Sequence, residues 1–269
     1  MGLKKKPTVP IEQLLTSLRV LVEDNEDIVK SGIDINDAFL LGFLIGRKYN
    51  LTTAYETIQK YVDVRKRKYV HIFSTFLPES FLYLYDQPKF MAVLKHREKN
   101  TGCIVGLLRP SRDQRAIRRP FEDVLGVCAL ASDQLLYMED AIENGGIMVI
   151  SGEGCEFSHI KEITPTRLKM ALDIFYQAYP ISVKQIHIVQ CSLIFNTVVT
   201  LLKTLLPRKL RKRIVIHRTL ETFHEIFDPS VLPSWLGGNR LEEQDWEVLD
   251  NYFERVFLDK ADYYDKLAQ

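Results

Sequence analysis

The chain of 269 residues contains no apolar run approaching the ~18 residues needed to cross a bilayer, which argues against a transmembrane anchor. Its first ten residues, MGLKKKPTVP, lack the apolar core of a signal peptide, and Lys6 stands where a myristoylation motif beginning at Gly2 needs Ser or Thr. There is little cysteine, and the four residues Cys103, Cys128, Cys155 and Cys191 have no metal-type spacing. They read as small buried hydrophobes in a reducing compartment. Net charge is nearly absent too: 36 Lys and Arg against 35 Asp and Glu leave +1, so no global field steers the chain toward nucleic acid. The expectation is a cytoplasmic protein that meets membranes only transiently.

Signatures of catalysis are equally sparse. No Gly-x-Gly-x-x-Gly, Gly-Lys-Ser/Thr or Gly-x-Ser-x-Gly occurs; Gly152-Glu-Gly154 follows a strand pattern and reads as a tight turn. His159, His187 and His217 are not spaced as metal ligands, and Glu153 and Glu156 on a sharp turn suit capping or solvent better than acid–base work. No catalytic residue, cofactor or metal is expected.

Against this background residues 192–213, SLIFNTVVTLLKTLLPRKLRKR, stand out. On a helix at ~100° per residue their apolar positions cover an arc of roughly 160°, wider than one core contact needs, while the basic run that follows opposes deep burial. The arc divides into two sets. Ile194, Val198, Leu201 and Leu205 form one, and Phe195, Val199, Leu202 and Leu206 form the other, about 100° away.

Helical spacing recurs at 11–22, 38–46 and 53–68, so residues 1–75 read as a small all-α N-terminal domain. Beyond it the period changes. Strand-like runs at 103–109, 147–151, 186–191 and 214–217 alternate with helices at 121–143, 166–179 and 192–206, and a terminal helix at 242–258 carries Trp246, Leu249, Phe253, Val256 and Phe257 on one side. This alternation predicts an α/β fold with a mostly parallel sheet and right-handed crossovers over residues 76–269. Cations cluster at Arg112, Arg115, Arg118 and Arg119, and again at Lys203, Arg208, Lys209, Arg211, Lys212 and Arg213. The second cluster adjoins the apolar helix, an arrangement suited to anionic bilayers; with Phe195 its only aromatic, it does not suit nucleic acid.

Several segments resemble successive blocks of the CRAL-TRIO lipid-binding family: GCEFSHIKEITP at 154–165, YPISVKQIHI at 179–188, LRKRIVIH at 210–217 and DPSVLPSWLGG at 228–238. Upstream, GFLIGRKYNLTTA at 42–54 is similar to that family's N-terminal helical domain. The resemblance implies a non-enzymatic carrier that encloses one hydrophobic molecule between a sheet floor and a mobile gate helix and opens at membranes. Tocopherol, retinoid, other isoprenoid and phospholipid are all open as cargo. The 192–206 helix falls at the gate position, its Phe195 set closing the cavity and its Ile194 set meeting the membrane. Cavity residues expected from the family pattern and from strand or helix phase are Cys128, Ser132, Met148, Ile150, Phe157, Ile174, Phe175 and Ile181. The resemblance also implies a phosphoinositide cleft, matched here by Arg47, Lys184, Lys209 and Arg213, with Lys203 and Arg211 nearby. The chain departs from the pattern at three places: Ser182 replaces a usual cation, Gln190-Cys-Ser192 replaces Asn-x-Pro before the gate, and Ser151 replaces an Asp on the central strand. The rival reading keeps the fold but fills the cavity with side chains, leaving a scaffold that reads phosphoinositides without cargo.

Overall fold

A computed structural model describes residues 7, 9–74, 91–110, 121–156, 161–239 and 259–268. The chain opens with four helices, α1 (Ile11–Glu23), α2 (Glu26–Val29), α3 (Asp37–Gly46) and α4 (Leu51–Asp63). Three of them start from an asparagine whose side chain accepts a hydrogen bond from the first turn: Asn25 from the Ile28 N–H, Asn36 from Phe39 and Asn50 from Thr53. Each cap satisfies a backbone donor that the helix itself leaves open. The sequence of α3, DAFLLGFLIG, is apolar all round, so it has to be buried. Phe39, Leu40, Phe43 and Leu44 accordingly sit at the centre of the largest core cluster.

The expected helix 53–68 does not continue as one α-helix. After α4 the chain widens into a π-helical turn, Val64–Lys68, before the short α5 (Val70–Phe73). A second π-helical segment, Leu172–Ala178, extends α8 (Pro165–Ala171), and the two segments pack together. Charged residues are buried where they meet. Arg65 Nη2 lies 2.5 Å from Asp133 Oδ1 and 2.7 Å from the Tyr179 hydroxyl, with its guanidinium over the rings of Tyr61 and Phe73. A buried cation is tolerable only when paired in this way. Asp173 is likewise held by Lys68, Lys169 and Tyr69. Although burial works against the anion, those hydrogen bonds bring Asp173 down to about 2.

The sheet has five strands in the order β1 (Met91–Val93), β2 (Ile104–Leu108), β3 (Gly146–Ser151), β4 (Val183–Val189) and β5 (Ile214–Ile216). β1 runs antiparallel to β2 and the other pairings are parallel, a mixed α/β architecture with a mostly parallel sheet. The helix expected over 121–143 breaks into α6 (Phe121–Leu135) and α7 (Glu139–Asn144). Gly145 then turns the chain at φ +84, where a Cβ would lie 2.3 Å from the Ser182 carbonyl oxygen. Beyond β4 come α9 (Leu193–Thr204), α10 (Arg208–Arg211), β5 and α11 (Leu220–His224), then 3-10 turns at Pro229–Val231 and Ser234–Leu236.

A last helix, α12 (Ala261–Ala268), packs back onto the N-terminal helices. Gln134 Nε2 donates to the Tyr264 hydroxyl at 2.7 Å, and Lys66 Nζ donates to the Leu267 carbonyl at 2.9 Å. The helix expected at 242–258, Phe157, the Arg112–Arg119 cluster and the domain boundary expected after residue 75 lie outside the described residues.

Candidate functional site

Side chains alternate across a strand, so the two faces of the sheet can be compared residue by residue. One face carries Val105, Leu107, Ile147, Val149, His187 and Val189, all buried against Phe223, Phe227, Leu232 and Leu236. His187 and His217 stack within this layer, Nδ1 to Nε2 at 2.8 Å, and burial together with the neighbouring ring lowers His187 to about 4. On the opposite face Gly106, Leu108, Met148, Ile150 and Ile186 are only half-buried although their strands are internal to the sheet, while Ile104 and Ile188 on the same face are buried.

α9 covers part of that open face. Ser192 caps it by accepting from the Phe195 N–H at 3.2 Å. Phe195 and Leu206 are buried with Ile188, Leu210 and Ile214, and Val199 packs beside them half-buried. The outer edge is solvent-facing, with Leu193 85%, Ile194 63%, Leu201 63% and Leu205 55% exposed. Val198, grouped with this edge from helix phase, is half-buried against the same inner cluster and sits at the boundary of the two sets.

The residues expected to line a cavity fall into three groups. Ile174 is fully buried in the large N-terminal cluster, and Phe175 and Ile181 pack against it half-buried. Ser132 is half-buried on α6, its hydroxyl donating to the Cys128 carbonyl at 2.9 Å. Cys128, Met148, Ile150 and Leu202 are half-buried, yet among the described residues none of them packs against any of the three buried clusters. Burial pushes the Cys128 thiol up to about 12.

Of the expected cationic residues, Arg47 donates to the Pro180 carbonyl at 3.1 Å and the Tyr179 carbonyl at 2.8 Å, and burial lowers its pKa. Arg213 donates to the Val183 carbonyl, and Lys203 Nζ reaches the Ile214 carbonyl at 2.7 Å. Arg47, Lys184, Arg213 and Lys203 are thus gathered along residues 179–184 and the start of β5. Arg211 instead caps the end of α9, its Nη2 3.0 Å from the Thr204 carbonyl and 3.1 Å from that of Leu206, while Lys209 is exposed on α10. Among the described residues none of these six cations meets a carboxylate, whereas Arg19, Arg65, Arg97 and Arg167 all do. Five of the six come from one stretch: between residues 174 and 220 there is no Asp or Glu and there are eight Lys or Arg.

Sequence reasoning missed one further network. Ser151 and Gln190, two positions at which the chain departs from the family pattern, are hydrogen-bonded to each other. The Ser151 hydroxyl donates to Gln190 Oε1 at 2.6 Å, and Gln190 Nε2 donates to the Trp235 carbonyl at 2.8 Å. The Trp235 ring lies under the Arg109 guanidinium, 4.1 Å away. Among the described residues, no group of three or more His, Cys, Asp or Glu is placed to hold a metal ion, and no helix is long and apolar enough to cross a membrane.

The sheet is thus mostly parallel, α9 covers part of its less buried face, and among the described residues the six cations named above meet no carboxylate. The CRAL/TRIO domain matches residues 87–238, more than half of the chain, and the chain belongs to that family. Clavesin-1 of Rattus norvegicus is 28% identical over 242 residues, which cover 88% of this chain and 66% of that protein. The alpha-tocopherol transfer protein-like protein of Mus musculus is 26% identical over 250 residues, covering 92% of this chain and 71% of that one. The chain therefore spans about two thirds of the length of the curated relatives it matches. The crystal structure of Sfh5 aligns over 93% of this chain and 96% of that one, with a TM-score of 0.47 and 11% identity.

Proposed function

We propose that this protein is a carrier, not a catalyst: it binds one hydrophobic small molecule or lipid in a hollow between the open sheet face, α6 and α9, and exchanges it at membranes. The observation that carries the reading is the contrast at the centre of the sheet. Met148 and Ile150 lie on an internal strand, where apolar side chains are ordinarily packed, yet they remain half-exposed. Filling that space with cargo removes apolar surface of both partners from water, at roughly 25 cal/mol per Å². In this reading the half-buried Cys128 stands on the α6 wall of the same hollow, and Leu202 of α9 forms its lid.

α9 serves as the gate in this reading, and its exposed edge is the part that enters the bilayer. A soluble protein keeps such an apolar edge only where it has a use. Lys184, Lys209, Arg213 and Arg47 supply charge-assisted bonds to a phosphoinositide head group, and the acid-free stretch 174–220 leaves those cations uncompensated. The name of the transfer protein-like relative makes a tocopherol-type molecule the first cargo to try.

The test is transfer of a fluorescent tocopherol analogue from donor to acceptor vesicles. Catalytic amounts of the protein should accelerate it, saturate at one molecule per chain and act faster on vesicles containing phosphoinositides. Absence of both binding and transfer across tocopherol, retinoid and phospholipid probes overturns the proposal in favour of a cargo-free scaffold.

A further inference from the structure

Gln190 stands at the junction of β4 and α9, and its backbone is in the left-handed region at φ +54. For a residue with a Cβ that conformation is strained, and it persists only where the surroundings enforce it. Here the side-chain amide is tied at both of its ends. Its amide oxygen accepts from the Ser151 hydroxyl and its amide nitrogen donates to the Trp235 carbonyl. β4 is held on both sides by β3 and β5, so it cannot move with α9. Any swing of α9 as a body therefore turns about residues 190–192. Gly152 brings the loop after β3 against the same point: its N–H donates to the Val189 carbonyl at 2.8 Å, and a Cβ there would lie 2.9 Å from Cys191 Sγ and 3.3 Å from the Phe195 ring.

We infer that the Ser151–Gln190–Trp235 chain is a hinge lock, which holds α9 down by fixing the strained Gln190 backbone and whose rupture is the step that lets the helix swing. The inference rests on α9 being the gate. Gln190 is a positioning residue in this account, since it acts through the helix and not on cargo. Releasing either hydrogen bond frees the backbone to leave the left-handed region, which raises the population of the open helix without loosening the sheet.

The experiment measures the reaction of each thiol of the full-length protein with N-ethylmaleimide by peptide mass spectrometry, with and without anionic vesicles. Cys128 reports access to the hollow, while Cys103, fully buried beside the sheet, reports global unfolding. Ser151→Ala and Gln190→Ala should each speed Cys128 labelling without vesicles by roughly three- to tenfold, the worth of a hydrogen bond. Ser151→Thr, which keeps the hydroxyl, should restore the slow rate, and Cys103 should be unaffected throughout. If vesicles accelerate Cys128 labelling in the unaltered protein but both alanine variants match it without vesicles, the hinge lock is overturned while the gate stands. If vesicles have no effect on Cys128 in the unaltered protein, the gate reading falls and the lock with it. Parallel acceleration at Cys103 shows general loosening and also overturns the lock.

Discussion

The two faces of one sheet are built to different ends from nearly the same residues. Valines, leucines and isoleucines on β2, β3 and β4 point alternately to either side. On one side aromatic residues of α11 and its following turns close over them to full burial, and on the other Ile104 and Ile188 are buried while Leu108, Met148, Ile150 and Ile186 between them stay half-buried. Strand composition did not decide which face became core; the partner did. Phe223 on α11 and Phe227 in the bend after it fill one layer, whereas Cys128 and Ser132 on α6 are only half-buried.

The sharpest way to break this comparison is to truncate one residue on each face. Phe223→Ala, on the sealed face, should cost about 3–5 kcal/mol of stability in denaturant unfolding, as expected for a large buried ring. Met148→Ala, on the open face, should cost less than about 1 kcal/mol, since that side chain is only half-buried and packs against none of the buried clusters among the described residues. Equal losses would mean that both faces are ordinary core.

The edge of α9 offers the next largest effect. Ile194→Asp with Leu201→Asp should lower affinity for anionic vesicles by at least about tenfold, because two apolar insertions are lost, while far-UV circular dichroism stays unchanged. Val198 is left in place because its half-buried side chain belongs partly to the inner cluster. Neutralising Lys184 or Lys209 should act more weakly, at about 1 kcal/mol or roughly fivefold per cation, and the effect should fade as salt is added. A vesicle affinity indifferent to all these changes would remove α9 and its cations from membrane binding.

The smallest effect is acid sensitivity, and it belongs to the sealed face. His187 is held near 4 against an ordinary value of 6.5, so below pH 6.5 the unfolded chain binds the extra proton first. Stability from this group is present above pH 6.5 and is lost as pH falls toward 4; His187→Gln should flatten that part of the profile. Asp173, depressed from 3.8 to about 2, adds its own loss only over that lower range. Gly106, Leu108, Met148, Ile150 and Ile186 on the open face carry no titratable side chain, so cargo binding should change little between pH 7 and 6.

Much of this architecture was legible in the chain. Strands β2 to β5 follow from short apolar runs, and the split arc of α9 separates exposed Ile194, Leu201 and Leu205 from buried Phe195 and Leu206, but it leaves out Leu193, which is 85% exposed. What escaped notice depends on pairs distant in sequence. No local period signals a π-helical turn; Val64–Lys68 widens where Arg65 meets Asp133, sixty-eight residues away. The three-residue β1 is too short to show alternation. Ser151 and Gln190 are unremarkable singly, and their bond exists only because β3 and β4 are neighbours. The cations of the expected cleft were visible as charge, but the attachment of Arg47 and Arg213 to the carbonyls of Tyr179, Pro180 and Val183 was not. The absence of any acid between residues 174 and 220 needed only counting.

The central claim is that the open face encloses cargo, and native mass spectrometry tests it most directly. The purified protein, incubated with a mixed lipid extract and desalted, should carry one hydrophobic molecule per chain, and Met148→Trp, which fills the hollow, should abolish the adduct while leaving the protein folded. A bare mass for the unaltered protein, or an adduct that survives Met148→Trp undiminished, would contradict the account.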